Sequence, residues 1–281
     1  MTQIPLMQSI PDLPPGLYLL ATPIGNLRDI TLRALDVLGS IDVLYCEDTR
    51  VTGGLVSHFG LKVKLAVYDD HRADKVEAGI IDAIKSGRRV GLCSDAGLPL
   101  ISDPGFRLIR AAAKEGLYVT SIPGANAALT ALQLSGIPTD SFAFHGFLPP
   151  KTSARKDRLA QLAAVTDTLV FYETGPRLAD ALTDMAAVLG ERQGFIAREL
   201  TKKFETLYRG TLSELIPDSP PKGEIVIVVA GADVTTGSDA DNDKILSLLL
   251  PHVPTKVAAD IAADLTGAPR KALYERALKL K

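Results

Sequence analysis

Ala21-Thr22-Pro23-Ile24-Gly25-Asn26-Leu27 follows directly on the apolar run Gly16-Leu17-Tyr18-Leu19-Leu20. Ser94-Asp95-Ala96-Gly97-Leu98-Pro99-Leu100-Ile101-Ser102-Asp103-Pro104-Gly105 follows in the same way on Arg89-Val90-Gly91-Leu92-Cys93. Each is a Gly/Pro loop where a buried strand ends and a helix begins. In open α/β sheets that edge is where ligands bind. Gly lets backbone approach a ligand closely, and Pro holds the approach still.

Outward from these loops, short apolar strands at 16–21, 41–46, 63–67, 88–93 and 117–122 alternate with amphipathic stretches such as 31–38 and 75–84. That alternation predicts a mainly parallel sheet covered on both faces. Pro123-Gly124 then opens a helix of small residues over 125–132. Beyond it, strands at about 141–147, 167–172, 194–199, 204–209 and 224–231 have fewer helices between them, and two of them should be antiparallel neighbours. The expected architecture is therefore two α/β domains, 16–122 with a mainly parallel sheet and 123–232 with a mixed one. A loose lead of 1–15 comes before them. An acidic linker at 233–243 and a helical tail at 244–281 follow, the tail reading as two helices around Thr266-Gly267-Ala268-Pro269, a helix-turn-helix-like pattern.

The chain has 281 residues, 46% hydrophobic and 23% charged, with a formal charge of −2, as expected of a globular protein with a large core. Cys46 and Cys93 fall at the ends of buried strands, which suits free thiols in a reducing, cytoplasmic setting. The first residues lack the basic-then-apolar order of a signal peptide, and no apolar run reaches membrane-span length. The four histidines are scattered, so no metal site is expected. The G-x-G-x-x-G and G-x-x-x-x-G-K-[ST] phosphate motifs and the G-x-S-x-G elbow are absent.

Several segments carry two readings. The loop at 21–27 is a tight turn, or it is a ligand loop in which Pro23 and Gly25 bring backbone close while Asn26, Arg28 and Asp29 offer polar contacts; Asp29 or Thr31 would cap the next helix. The loop at 94–105 is long for a plain connection. Its Gly97–Ile101 stretch is too apolar for solvent, and carboxylates flank it. It suits a ligand with a flat apolar part and hydroxyl or cationic groups, with Asp95 as hydrogen-bond acceptor. Cys46-Glu47-Asp48-Thr49-Arg50 is a helix cap or an active-site edge, and Phe171-Tyr172-Glu173-Thr174 has the same two readings. Tyr68-Asp69-Asp70-His71-Arg72 reads as a solvated loop. Lys151, Arg155, Lys156 and Arg158 form one basic cluster. Lys202 and Lys203, with Arg198 and Arg209, form a second, and Arg270 and Lys271 begin a basic tail helix. Each is a solvated face or a phosphate-backbone contact. With 5% aromatic residues and no Trp, no single-strand stacking platform is visible.

In order, ATPIGNLRDIT, YCEDTR, LCSDAGLPLISDPG, SIPGANAALTAL, FYET, ARELTKKFET and KGEIVIVV resemble the tetrapyrrole methylase superfamily over about 16–231. Within it they resemble the branch that methylates a cytidine ribose 2′-hydroxyl in 16S ribosomal RNA. The resemblance implies S-adenosyl-L-methionine in a cleft between the two domains, a homodimer, and ribosomal RNA, within the 30S subunit, as substrate. It places the cofactor at Asp95, Ala96, Gly97, Leu98, Leu100 and Ile101, at Pro123, Gly124, Ala125 and Ala128, and at Tyr172, Ala197 and, nearby, Gly223. Leu98 stands where the family commonly has Thr, which leaves a backbone contact at that point. Glu47, Asp48 and Glu173 are the candidate general bases, with Arg28 and Arg50 positioning phosphate. A methylase acting on a tetrapyrrole and a non-catalytic RNA-binding assembly factor are the rival readings.

Overall fold

The computed structural model describes residues 13–68, 73–103, 105–233 and 239–280. The predicted loop at 69–72 and most of the predicted lead, residues 1–12, lie outside them. Leu13 packs on the first core and Tyr18 donates its hydroxyl to the Pro14 carbonyl at 2.6 Å, so the lead is tied down from residue 13 onward.

The first half runs β1 (Gly16–Leu20), α1 (Leu32–Leu38), β2 (Val43–Cys46), α2 (Thr49–His58), β3 (Leu65–Val67), α3 (Ala73–Lys85), β4 (Arg89–Leu92), α4 (Phe106–Lys114) and β5 (Val119–Ile122). Its five strands pair all-parallel in the order β3-β2-β4-β1-β5. Buried side chains pack on both faces. Tyr18, Leu20, Leu44 and Cys46 lie in one cluster, and Leu17, Val43, Val90 and Leu92 in the other, as strand alternation requires. Cys93 is buried beside Thr52, and burial pushes its thiol up to about 12, which keeps it protonated and inert. Tyr68, read as part of a solvated loop, is instead buried, with its hydroxyl on Glu77 at 3.0 Å.

The second half runs α5 (Ala127–Ser135), β6 (Phe142–Phe147), α6 (Thr152–Leu162), β7 (Thr168–Thr174), α7 (Leu178–Leu189), β8 (Gln193–Arg198), β9 (Thr206–Thr211) and β10 (Glu224–Val229). The strand order is β6-β7-β10-β8-β9, with β6 parallel to β7 and every other pair antiparallel. The sheet is mixed as expected, with three antiparallel contacts rather than one. The two sheets belong to one compact unit spanning residues 1–163 and 167–230.

A second unit holds residues 164–166 and 231–281. It contains α8 (Asp239–Leu249), α9 (Thr255–Thr266) and α10 (Arg270–Lys279). Gly267, at φ 69°, closes α9 with a left-handed cap, and the predicted Gly turn thus joins the last two helices. The linker ends earlier than the composition suggested. A helix already begins at Asp239, because acidic residues that read as linker also suit the positive end of a helix. Alanine faces 258, 259, 262 and 263 of α9 pack against Leu246, Leu273 and Ala277.

Candidate functional site

The two Gly/Pro loops are bonded to each other. Thr22 N–H donates to Gly97 O at 2.9 Å, and Gly97 N–H donates to Thr22 O at 3.1 Å. Thr22 Oγ1 also reaches Ser94 O at 3.1 Å. The longer loop then turns through left-handed backbone at Gly97 (φ 82°), Leu100 (φ 73°) and Ser102 (φ 68°). Two of these are not glycine, so the loop carries strain of the kind held at ligand sites.

A cleft of about 260 Å³ opens beside this joint. The first half contributes Asp95, Ala96, Gly97, Leu98, Ile101 and Glu47 to its wall, and the second half contributes Tyr172 and Ala197, as expected from sequence. Ile24, Asp103, Asn126, Phe147, Leu200 and Val226 also line it and were not among the expected site residues. Asn126 could have been found, since it caps α5 by accepting Leu129 N–H at 2.9 Å directly after the Pro-Gly start. Leu200 and Val226 carried no signal beyond being apolar.

Other expected residues support the cleft without lining it. Pro23 is buried behind the loop. A Cβ on Gly25 would come to 2.4 Å from Lys202 Cγ and 2.8 Å from Leu200 O, so this glycine allows the two halves to approach. Gly124 backs on Ala21 in the same way, with 2.7 Å to its Cβ. Gly223, at φ 101°, lies against Glu199. Leu100 turns inward against Gly105 and the first core. Pro123 and Ala125 precede α5, and Ala128 packs in the core beside Tyr172.

The candidate bases separate by geometry. Glu47 lines the cleft. Asp48 caps α2 through Arg50 N–H at 2.8 Å, and the Arg50 guanidinium beside it holds its carboxyl down at about 2, a weak base. Its own N–H reaches Asp95 Oδ1 at 3.2 Å, tying the end of β2 to the loop at 94–105. Glu173 also lines the cleft, but its side chain is buried. Strand alternation sends Tyr172 toward α5 and the cleft, and sends the Glu173 carboxylate to the other side. There it meets Arg177 Nε at 3.1 Å and Thr174 N–H at 2.9 Å. Burial raises its pKa. Arg28 is exposed on the turn that Asn26 caps, with its N–H on Asn26 Oδ1 at 3.1 Å, and Thr31 rather than Asp29 caps α1.

Arg155, Lys156, Lys202 and Arg270 of the basic clusters are held in ion pairs. Arg155 is the clear correction. It is 2% exposed, with Nε on Asp184 Oδ2 at 2.6 Å. Its position on the inner face of α6, which also buries Leu159 and Leu162, made that burial unavoidable. Lys156 lies 3.5 Å from Asp184 Oδ1, and Arg158 bonds His145 Nδ1 and Gln161. Lys202 bridges Glu199 (2.8 Å) and Glu224 (3.0 Å), and Lys203 sits over the Phe204 ring. Arg270 pairs with Asp264 at 3.0 Å. Lys151 and Lys271 are exposed.

The cleft walls fit a nucleoside sulfonium. Leu98, Ile101 and Tyr172 offer apolar surface for a flat ring, while Glu47, Asp95 and Asp103 offer carboxylates for hydroxyl and cationic groups. Burial holds the Asp103 pKa above its ordinary value, so a positive ligand charge would be welcome there. Among the described residues, no group of three or more His, Cys, Asp or Glu gathers in a way that could hold a metal ion, and no helix is long and apolar enough to cross a membrane.

Comparison with known proteins agrees with this geometry. The model of the tetrapyrrole (corrin/porphyrin) methylases matches residues 16–216, and that of the RsmI C-terminal HTH domain matches 236–281. The chain is 47% identical over 274 residues to the ribosomal RNA small subunit methyltransferase I of Mesorhizobium japonicum, covering 96% of this chain and 93% of the relative. It is 43% identical to the protein of that name from Escherichia coli O157:H7, over 94% of each chain. Among solved structures, uroporphyrin-III-C-methyltransferase from Thermus thermophilus superposes with a TM-score of 0.55 at 21% identity, over 75% of this chain and 93% of that one. Diphthine synthase superposes at 0.59 and 14% identity, over 76% and 89%; at such identities the likeness speaks for the fold. The chain belongs to the tetrapyrrole (corrin/porphyrin) methylase family.

Proposed function

We propose that this chain methylates the 2′-hydroxyl of a cytidine ribose in 16S ribosomal RNA, acting on the 30S subunit as a homodimer. The observation that carries the reading is the near-full-length likeness, 47% identity over 96% of the chain, to a ribosomal RNA small subunit methyltransferase I. The chain is a methyltransferase that uses S-adenosylmethionine. When bound, that cofactor supplies a methyl on a positively charged sulfur, which the ribose oxygen takes as the carbon–sulfur bond breaks toward sulfur.

The chain's own residues bind, orient and move a proton. The Thr22–Gly97 joint fixes both loops around the cleft, and fixed alignment of the reacting groups supplies much of the rate. Asp95 and Asp103 present carboxylates to the cofactor's hydroxyl and cationic groups. Glu47, the candidate base whose residue lines the cleft on the first half, accepts the proton of the ribose hydroxyl. Lys151 and Lys271 are the exposed cations best placed by their freedom to meet phosphate.

The test is methyl transfer from labelled S-adenosylmethionine to purified 30S subunits, with mass spectrometry of the RNA and light scattering of the protein. The expected product is one cytidine carrying a ribose methyl, and the expected species is a dimer. Glu47→Gln should bind the cofactor and lose turnover. Unlabelled 30S RNA beside a labelled corrinoid precursor would overturn the reading.

A further inference from the structure

Phe147 is 51% exposed although it lines the cleft, and a large aromatic ring left half in water needs a cause. The cause is a bulge in β6. Phe144 pairs with Val170 and Phe147 with Tyr172, so three steps along β6 answer two along β7. Residues 144 and 147 are an odd number apart and would face opposite sides of a regular strand. The extra residue cancels that reversal, and bulges beside active sites often re-aim a side chain in this way. Both rings therefore flank Tyr172, Phe144 at 4.8 Å and Phe147 at 5.7 Å between centroids. His145 goes to the other face and stacks on Phe171 at 5.3 Å. The chain turns at Gly146, φ 62°, where a Cβ would come to 3.0 Å from Ser102 Oγ on the cofactor loop. Phe147 is thus held at the cofactor loop by backbone geometry while its own ring stays available. Two prolines later, Lys151 begins α6 with an exposed ammonium.

We propose that Phe147 is the platform on which the base of the acceptor nucleotide stacks, with Lys151 meeting an adjacent phosphate. This rests on the RNA-methylation reading. A ribose hydroxyl can enter a cleft only if its nucleotide is unstacked from its neighbours, and proteins that read RNA commonly receive such bases on aromatic rings. The ring selects an extruded nucleotide and sets its ribose over the cleft.

The experiment compares wild type, Phe147→Leu and Phe147→Tyr on 30S subunits with labelled S-adenosylmethionine, and measures cofactor affinity of each by calorimetry. Phe147→Leu should lower kcat/KM for 30S by about 5- to 150-fold, the range that one lost base stack brings. Its cofactor Kd should stay within about twofold of wild type, which also shows the variant folded, and Phe147→Tyr should restore most of the activity. Unchanged kcat/KM in Phe147→Leu overturns the proposal. So does a cofactor Kd weakened in proportion, which makes the ring a cofactor wall, or a Tyr variant as poor as the Leu one. Wild type that leaves 30S unmethylated defeats the RNA reading itself, and is told apart by that control.

Discussion

Arg155→Met tests whether α6 reads RNA with its inner face or is pinned by it. Arg155 and Asp184 are 3% and 6% exposed at their side chains, and their contact is 2.6 Å. The guanidinium also donates to Pro150 O at 3.2 Å. Removing one partner of a buried pair costs about 3–5 kcal/mol, because the other charge stays buried without its counterion. Lys156 Nζ, at 3.5 Å and half in water, remains as a weak substitute, which favours the lower end of that range. For a chain of this size each kcal/mol lowers Tm by roughly 2–4 °C, so about 3 kcal/mol gives a fall of about 6–12 °C by calorimetry. Replacing both partners, Arg155→Met with Asp184→Leu, removes the stranded charge and should recover most of the loss. Methylation of 30S measured well below both melting points should stay near wild type. An Arg155→Met protein that melts like wild type but binds RNA weakly would refute the assignment and return Arg155 to the surface role its sequence context suggested.

Gly25→Ala should force the loop at 21–27 away from Leu200 O and Lys202, at about 1–3 kcal/mol. A lower Tm and weaker cofactor binding by calorimetry are expected together, and an unchanged affinity at unchanged Tm would mean the two halves have slack there. Asp103 has its pKa raised, first by desolvation and then by the Asp95 charge, against a Ser94 hydrogen bond that lowers it. A folded pKa above the unfolded one stabilises the fold fully below the ordinary value of 3.8, and that contribution is lost as pH rises through the folded value. The ionised form is therefore held at a cost that a cationic ligand relieves. Affinity for S-adenosylmethionine should rise with pH over that window, and Asp103→Asn should flatten the rise; parallel profiles would remove Asp103 from the cofactor's charge balance.

Much of the frame was legible because it depends on local pattern. Ten strands stood where apolar runs met Gly and Pro, and their observed bounds differ from the expected ones by a residue or two at most ends. The cleft wall contributed by Asp95, Ala96, Gly97, Leu98 and Ile101 was legible for the same reason, as a strand-end loop that is apolar and flanked by carboxylates. What the sequence hid was the direction of side chains. Arg155 sits among Lys151, Lys156 and Arg158, and a charge count treats the four alike. Only the helical period, with Leu159 and Leu162 on the same face, shows that one of them must turn inward. Glu173 follows Tyr172 and looks like its partner in a motif, yet adjacent strand residues cannot share a face. Phe147 was hidden more deeply, because a bulge breaks the period from which its direction would be read.

These three residues share one cause. The second sheet has two faces with different work, and each residue's role follows from the face it is given. On the cleft face, Phe144, Tyr172, Ala197 and Val226 keep the wall apolar and neutral, as a flat ligand ring requires. On the other face, the side chains of Glu173 with Arg177 and of Arg155 with Asp184 gather charge in buried ion pairs. Of the five acidic residues that line the cleft, Glu47, Asp95 and Asp103 come from the first sheet's loops, while Glu173 and Glu224 of the second half are ion-paired to Arg177 and Lys202. The bulge at Gly146 is the one place where the second sheet breaks its own alternation, and the residue it redirects is an aromatic ring facing water. The redirected ring packs edge-on against Tyr172 and stays half in water at the mouth of the cleft.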